Sequence, residues 1–215
     1  MTAQPVTVVH LVRHGEVFNP EHVLYGRLPG YRLSELGLAM AERVAESFAD
    51  HDVAVVTASP LDRARETAAP VAAAHGLQVG TDERLIEAGN HFEGLAFGVG
   101  DGSLRHPRHW RYLVNPMKPS WGEPYQRIAA RVLGAVATAC SQAEGREAVL
   151  VSHQLPVWVT RLYLEGRRLW HDPRKRECSL ASVTTLTYHG RDLVAIGYSE
   201  PAADLLPGAS KVAGA

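Results

Sequence analysis

The chain has little of several things that would announce a function. It has two cysteines, Cys140 and Cys178, too few for a disulfide framework and without the spacing of metal ligands. No stretch approaches the roughly 20 apolar residues of a membrane span. The short apolar run near the start is interrupted by His10 and has no basic segment before it, so no secretory signal is expected. Charge of one sign is also missing: the formal net charge is −1, which gives no general attraction to nucleic acid or to a membrane surface. Any anion must then be held by a local arrangement, which favours a small ligand over a polymer. No internal repeat and no second domain stand out. These absences point to a cytoplasmic protein with no nucleic acid partner and no membrane partner.

What the 215 residues do contain is 46% hydrophobic content, enough for one packed domain. That domain is placed at 1–200, with 201–215 as a small, polar, flexible tail. Its organising stretch is Val8-Val9-His10-Leu11-Val12-Arg13-His14-Gly15-Glu16. The β-branched and aliphatic residues suit a strand buried on both faces, as in a parallel sheet. The carboxyl ends of such strands are where ligands sit in open α/β sheets. Arg13 brings a planar donor fork suited to phosphate or carboxylate, His14 a base, acid or nucleophile, and Gly15 a tight turn.

The following segments repeat this pattern of strand, loop and helix. Residues 16–32 read as a loop, with Asn19-Pro20 and Pro29-Gly30 as turn signals and Arg27 between them. Ser34 is a plausible N-cap for a helix whose inner face is Leu38, Ala41, Ala45 and Phe48. Residues 52–58 form a second buried strand. Ser59-Pro60 then opens another helix, with a capping hydroxyl, proline at the first helical position and Arg63 one turn in. Pro70 predicts a kink or early break in that helix, and His75-Gly76 its stop. A short strand and turn over 77–85 leads to Glu87. Residues 89–122 lose periodicity, and are expected to form a lid or insert that governs substrate choice. A helix follows over 124–142, then a strand over 148–152 ending in His153, a helix over 155–164 and a hairpin over 180–198. The basic run Arg167, Arg168, Arg174, Lys175 and Arg176 reads as a solvated loop.

Strand ends and helix starts thus deliver Arg13, His14, Arg63 and His153, and another element delivers Glu87. Two arginines, two histidines and a carboxylate, with no cofactor loop and no activated serine, suit phosphoryl chemistry. His106 and His109 have helix-face ligand spacing at best and no carboxylate pattern beside them, so no metal site is expected there.

Four segments carry a family resemblance in order and approximate spacing: Leu11-Val12-Arg13-His14-Gly15-Glu16 with Asn19; Ala58-Ser59-Pro60-Leu61-Asp62-Arg63-Ala64 with Thr67-Ala68; Leu85-Ile86-Glu87 with Phe92-Glu93-Gly94; and Val149-Leu150-Val151-Ser152-His153. In these the sequence resembles the histidine phosphatase superfamily, the phosphoglycerate mutase-like family, over about residues 6–198. The resemblance implies a three-layer α/β/α sandwich with a mainly parallel central sheet. It implies that His14 takes the phosphoryl group, that Arg13, Arg63 and His153 surround its oxygens, and that Glu87 acts as general acid, with nearby Glu93 as the alternative. It implies no metal and no cofactor, and a small phosphorylated substrate. Asn19, Arg27 and Gln154 are candidate substrate contacts, although Asn19 and Arg27 would equally serve to organise their loop.

For His14 to attack while neutral, some group should hold its other ring nitrogen, such as a backbone carbonyl in the Gly15 turn. Cofactor-dependent phosphoglycerate mutases resemble the chain too. They usually carry Glu-Arg-x-Tyr-Gly around the acid, where this chain has Glu87-Ala88-Gly89-Asn90-His91. The expectation is therefore a metal-independent phosphatase working through a phosphohistidine. A phosphoglycerate mutase and a noncatalytic phosphate-binding module are the alternatives.

Overall fold

The computed structural model describes residues 5–94 and 122–209. Its strands are β1 (Val6–Arg13), β2 (Val53–Ala58), β3 (Val79–Thr81), β4 (Glu147–Ser152), β5 (Val183–His189) and β6 (Asp192–Ser199). They form one six-stranded sheet in the order β3-β2-β4-β1-β5-β6. The pairs from β3 to β1 are parallel, and β5 and β6 add an antiparallel edge. The helices are α1 (Glu35–Ser47), α2 (Asp62–Ala74), α3 (Tyr125–Gln142) and α4 (Gln154–Leu164).

Alternation along the strands divides the core between two faces. Val12, Val56, Val149 and Val151 pack with Met40 and Val44 of α1 and Ala64, Ala68 and Val71 of α2. Val9, Leu11 and Leu150 pack with Val132 and Val136 of α3 and Val157 and Trp158 of α4. The architecture is the expected three-layer α/β/α sandwich with a mainly parallel sheet.

The register matters most for function. β4 lies between β1 and β2, with Arg13 opposite Ser152 and Ala58 opposite Val151. The ladder continues one step further on both sides: the His14 N–H donates to the Ser152 carbonyl at 3.1 Å and the Ser59 N–H to the Val151 carbonyl at 2.9 Å. Three neighbouring strands therefore end level, and the residues just past them open onto the same end of the sheet.

Several local expectations need correction. Ser34 does cap α1, its Oγ accepting from the Gly37 N–H at 2.9 Å, but Leu38 is 50% exposed and the buried face runs through Gly37, Met40, Ala41, Val44 and Ala45. Ala41, Ala45 and Phe48 are buried as expected, so only the first position of the assumed face is displaced. Ser59 does not cap α2: that helix starts at Asp62 with Leu61 at the cap and no side-chain cap bond. Pro70 does not break α2, which runs through to Ala74. Pro70 is only partly buried, and Ala64, Thr67, Ala68 and Val71 hold the other face against the core. Gly76, at φ +65°, follows the helix end as expected. Part of the stretch read as a tail is ordered: Ala203–Gly208 form a short 3-10 helix, and Leu205, Leu206 and Ala209 pack against the core beside the buried Ala202. Most of the expected insert, residues 95–121 with His106 and His109, lies outside the described residues.

The turn after β1 is clamped against the start of α1. The Ser34 N–H donates to the Glu16 carbonyl at 3.0 Å, and Ser34 Oγ donates to Glu16 Oε2 at 2.5 Å. A Cβ on Gly15 would stand 2.6 Å from the Gly37 carbonyl oxygen, and one on Gly37 would collide with the Glu16 carbonyl. Two backbones meet here with no room for a side chain. Gly37→Ala should therefore cost about 3 kcal/mol of stability, read as a lower urea midpoint. A variant as stable as the wild type would show that the close approach is not required.

Candidate active site

Each site residue is placed by backbone features already described. Arg13 and His14 leave β1, His153 leaves β4, Arg63 sits in the first turn of α2, and Glu87 follows the 3-10 turn Glu83–Leu85. His14, Arg63 and His153 are fully buried and Glu87 is 3% exposed. The rings of His14 and His153 lie 5.1 Å apart at 62°.

Hydrogen bonds fix how each group presents itself. His14 Nδ1 lies 2.7 Å from the Gly15 carbonyl oxygen. A carbonyl only accepts, so Nδ1 carries the proton and Nε2 keeps its lone pair. The Gly15 turn thus supplies the carbonyl that the chemistry called for. Gly15 is itself held by its N–H donating to Thr67 Oγ1 at 3.1 Å, and Thr67 Oγ1 donates to the Arg63 carbonyl at 2.7 Å. Arg13 Nη1 donates to the Cys178 carbonyl at 2.7 Å, and Arg63 Nη2 to the Gly26 carbonyl at 2.6 Å. The Arg63 guanidinium also lies over the Tyr25 ring, 4.7 Å from its centre. His153 Nε2 is 2.7 Å from Ser59 Oγ. Glu87 Oε1 accepts from the Ala88 N–H at 2.7 Å.

Each of these residues keeps a polar atom in reserve. Among the described residues, nine buried side-chain nitrogens and oxygens have no hydrogen-bonding partner, and five of them are Arg13 Nε, His14 Nε2, Arg63 Nε, Glu87 Oε2 and His153 Nδ1. Buried polar atoms are ordinarily paired. Such a concentration at adjoining strand ends is the signature of a polar ligand site.

Burial also sets the protonation states. It is the main reason that the His14 and His153 imidazoles are held well below the ordinary histidine range, and the Arg63 and Arg13 charges add to it. Burial likewise raises the Glu87 carboxyl, against the Ala88 N–H and the Arg63, Arg176 and Arg13 charges that lower it. Two neutral imidazoles, a carboxyl biased toward its acid form and two guanidiniums give a net positive site.

The remaining candidates fall into place differently. Arg27 is a support for Glu87: its Nε donates to the Glu87 carbonyl at 2.6 Å and its Nη2 to Glu123 Oε2 at 3.0 Å. Asn19 binds Val23 through both ends of its amide and so organises its loop. Glu93 is engaged by the Asn90 N–H at 3.0 Å and packs under Gly26. Gln154 accepts from Arg176 Nη1 at 3.0 Å.

Arg176 itself is the main surprise. It was expected in a solvated basic run, yet it is partly buried, with Nε 2.9 Å from His171 Nε2, and it lines a pocket with Glu87, Leu24, Gly89, Tyr125 and Leu155. Nothing in its local sequence distinguishes it from Arg174, which is exposed and paired with Asp172. Ser59, read from sequence only as a helix cap, Thr67, read only as part of a motif, and Tyr25 also belong to the site's surroundings. The motif Ala58-Ser59-Pro60 with Thr67 held a signal for the first two.

Comparison with known proteins follows this geometry. The profile of the histidine phosphatase superfamily, branch 1, matches residues 9–200. An uncharacterized protein of Mycobacterium tuberculosis is 60% identical over 197 residues, covering 92% of this chain and 98% of that one. A probable phosphoglycerate mutase of Citrobacter koseri is 30% identical over 187 residues, covering 81% and 83%. Among solved structures, a mycobacterial glucosyl-3-phosphoglycerate phosphatase superposes with a TM-score of 0.72 at 26% identity, covering 91% of this chain and 98% of that one. A phosphoserine phosphatase of Entamoeba histolytica has the same fold, with a TM-score of 0.72 at 21% identity over 91% and 99% of the two chains.

Neutral burial of His14 and His153 makes stability depend on pH. Their folded pKa values lie well below the ordinary histidine value of about 6.5, so below that pH the unfolded chain binds protons that the native state refuses. Stability therefore falls as pH drops, by about 1.4 kcal/mol per pH unit for each such proton. Glu87 acts oppositely, since a raised carboxyl contributes stability that is lost as pH rises through its folded value. Urea midpoints between pH 6.5 and 5 should decline less steeply for the His14→Gln, His153→Gln double variant, by about two protons. An unchanged slope would contradict neutral burial.

Proposed function

Because the chain belongs to the histidine phosphatase superfamily, we propose that it is a phosphoric monoester hydrolase acting on a small phosphorylated substrate through a phosphohistidine on His14. The observation that carries the proposal is the convergence of unpartnered atoms on Arg13, His14, Arg63, Glu87 and His153. In this reading the donors take the equatorial phosphoryl oxygens, while His14 Nε2 and Glu87 Oε2 serve the attacking and leaving positions.

The His14 Nε2 lone pair forms the N–P bond as the P–O bond to the leaving group breaks, and the Glu87 carboxyl proton passes to the departing oxygen. The resulting carboxylate then takes a proton from water. Water oxygen bonds to phosphorus, the N–P bond breaks, and its electron pair returns to Nε2. Arg13 and Arg63 balance the spread charge throughout, so no step is routed through a metal. His153 donates from Nδ1, which requires the Ser59 hydroxyl to donate to Nε2.

Arg176 in the pocket beside Glu87 suits a leaving group that carries its own anion. The likeness to a glucosyl-3-phosphoglycerate phosphatase supports a carboxylate in that role. The 30% identical relative named a probable phosphoglycerate mutase supports the alternative of transfer between hydroxyls. Ala88 and Asn90, standing where mutases usually carry arginine and tyrosine, favour hydrolysis. The cytoplasm is the proposed location, where the two free thiols suit reducing conditions.

Phosphate release from an aryl phosphate and from a panel of phosphorylated metabolites tests the assignment. His14→Ala should lose about a thousandfold or more of kcat, and full retention of activity would refute the mechanism. Glu87→Gln should lose about 10²–10⁴-fold, more on alkyl than on aryl leaving groups. For Arg176→Ala, KM should rise about tenfold for carboxylate-bearing esters and stay unchanged for the aryl ester; equal effects on both would remove its proposed role.

A further inference from the structure

A second polar cluster lies away from the phosphate site. His10 faces the α1 side of the sheet, Glu147 begins β4, and His51 lies in the connection between α1 and β2. Glu147 Oε2 is 2.8 Å from His10 Nε2 and 2.7 Å from His51 Nδ1. One ligand-type atom from each residue lies within 4.8 Å of the others. His10 is 4% exposed, whereas the His51 side chain is 40% exposed. His10 and His14 are four residues apart along an extended segment, about 13 Å at the usual strand rise.

We infer that His10, His51 and Glu147 form a binding site for a divalent transition-metal ion such as Zn²⁺, which would staple β1, β4 and the α1–β2 connection together. The donor set is two imidazoles and a carboxylate, which suits Zn²⁺ and its first-row neighbours. Tetrahedral ligation at about 2.0–2.1 Å per bond sets ligand atoms roughly 3.3 Å apart, so an ion entering the cluster would widen the two carboxylate–imidazole contacts from 2.8 and 2.7 Å by about half an ångström. His51, on the exposed side, is the residue with freedom to adjust. The open fourth position faces the same side and takes water.

The surroundings favour ligation. His10 Nδ1 lies 3.0 Å from Thr185 Oγ1, the type of outer contact that orients a ligating imidazole. A hydroxyl can donate or accept. When Nε2 turns from hydrogen-bond donor to metal ligand, the imidazole proton moves to Nδ1 and Thr185 Oγ1 accepts it. His51 makes the corresponding exchange through solvent, from Nδ1 to Nε2. No net proton is lost from two neutral rings, and dative bonds from two nitrogens and one oxygen replace waters of the aquo ion. Burial, partly offset by the Glu147 hydrogen bond, holds His10 below the ordinary range, in the neutral form that ligates. For Glu147, burial raises the pKa but the His51 and His10 hydrogen bonds outweigh it, so the carboxylate is ionised. Arg146, paired with Asp52, adds no excess positive charge nearby. The set escapes a reading of spacing because Glu147 stands 96 residues from His51 and 137 from His10.

Equilibrium dialysis of the chelator-treated full chain against Zn²⁺ tests the site, with Co²⁺ absorption in the visible as a second readout. One equivalent should bind, and Tm should rise by about 5–10 °C when free Zn²⁺ exceeds Kd a hundredfold. His14→Ala should retain that equivalent, which separates the site from the His14–His153 pair. His51→Ala and Glu147→Gln should weaken binding at least tenfold and abolish the Tm rise, while phosphate release by His51→Ala stays at the wild-type rate. Absence of stoichiometric binding, or equal Zn²⁺ affinity in wild type and both variants, would overturn the inference.

Discussion

The 2.7 Å hydrogen bond from His14 Nδ1 to the Gly15 carbonyl is the interaction on which the site depends. It selects the tautomer and leaves the lone pair on Nε2, the nitrogen that the proposed mechanism uses. The bond exists because the chain turns sharply straight after β1. That turn depends in turn on Gly15 and Gly37, whose backbones meet where no Cβ fits. Thr67 then ties the Gly15 amide to the carbonyl of Arg63, so the His14 turn and the Arg63 cation are positioned by the same short network.

Charge is arranged with the same economy. Arg13 and Arg63 place donors on the carbonyls of Cys178 and Gly26, and Arg63 lies over Tyr25, so among the described residues their positive charge is oriented by carbonyls and a ring and not by a direct ion pair. Glu87, the acid beside them, is pushed by burial toward its protonated form. The pocket is therefore built around positive potential and neutral proton carriers, an arrangement that a phosphate dianion completes. Its cost in stability is carried by the packed faces of the sheet, where Val12, Val149 and Val151 are fully buried.

Strand ends were the legible part of the sequence. Apolar runs that stop in Arg13-His14 or in His153 mark both the sheet and its functional edge, because a strand buried on both faces is mostly apolar until it ends; within β1, His10 is the exception. Ser34 was readable as a cap because the signal is local. Arg176 was not, since its burial comes from packing beside Gln154 and His171 and not from its own basic neighbours. Arg27 braces the Glu87 backbone, in line with the organising role that the sequence left open beside a substrate contact, and the Ser59 hydroxyl lies against His153. Pro70 and the 203–208 segment defeated composition for the same reason: tertiary contacts outweighed local preference.

The most direct test of the central claim is the isomer of phosphohistidine formed during turnover. Rapid quenching under base, followed by ³¹P NMR and peptide mapping, reports which ring nitrogen carries the phosphoryl group. The account predicts an acid-labile, base-stable adduct on His14 at Nε2, because Nδ1 is committed to the Gly15 carbonyl. An adduct at Nδ1, an adduct on another residue, or turnover with no phosphoenzyme at all would contradict it.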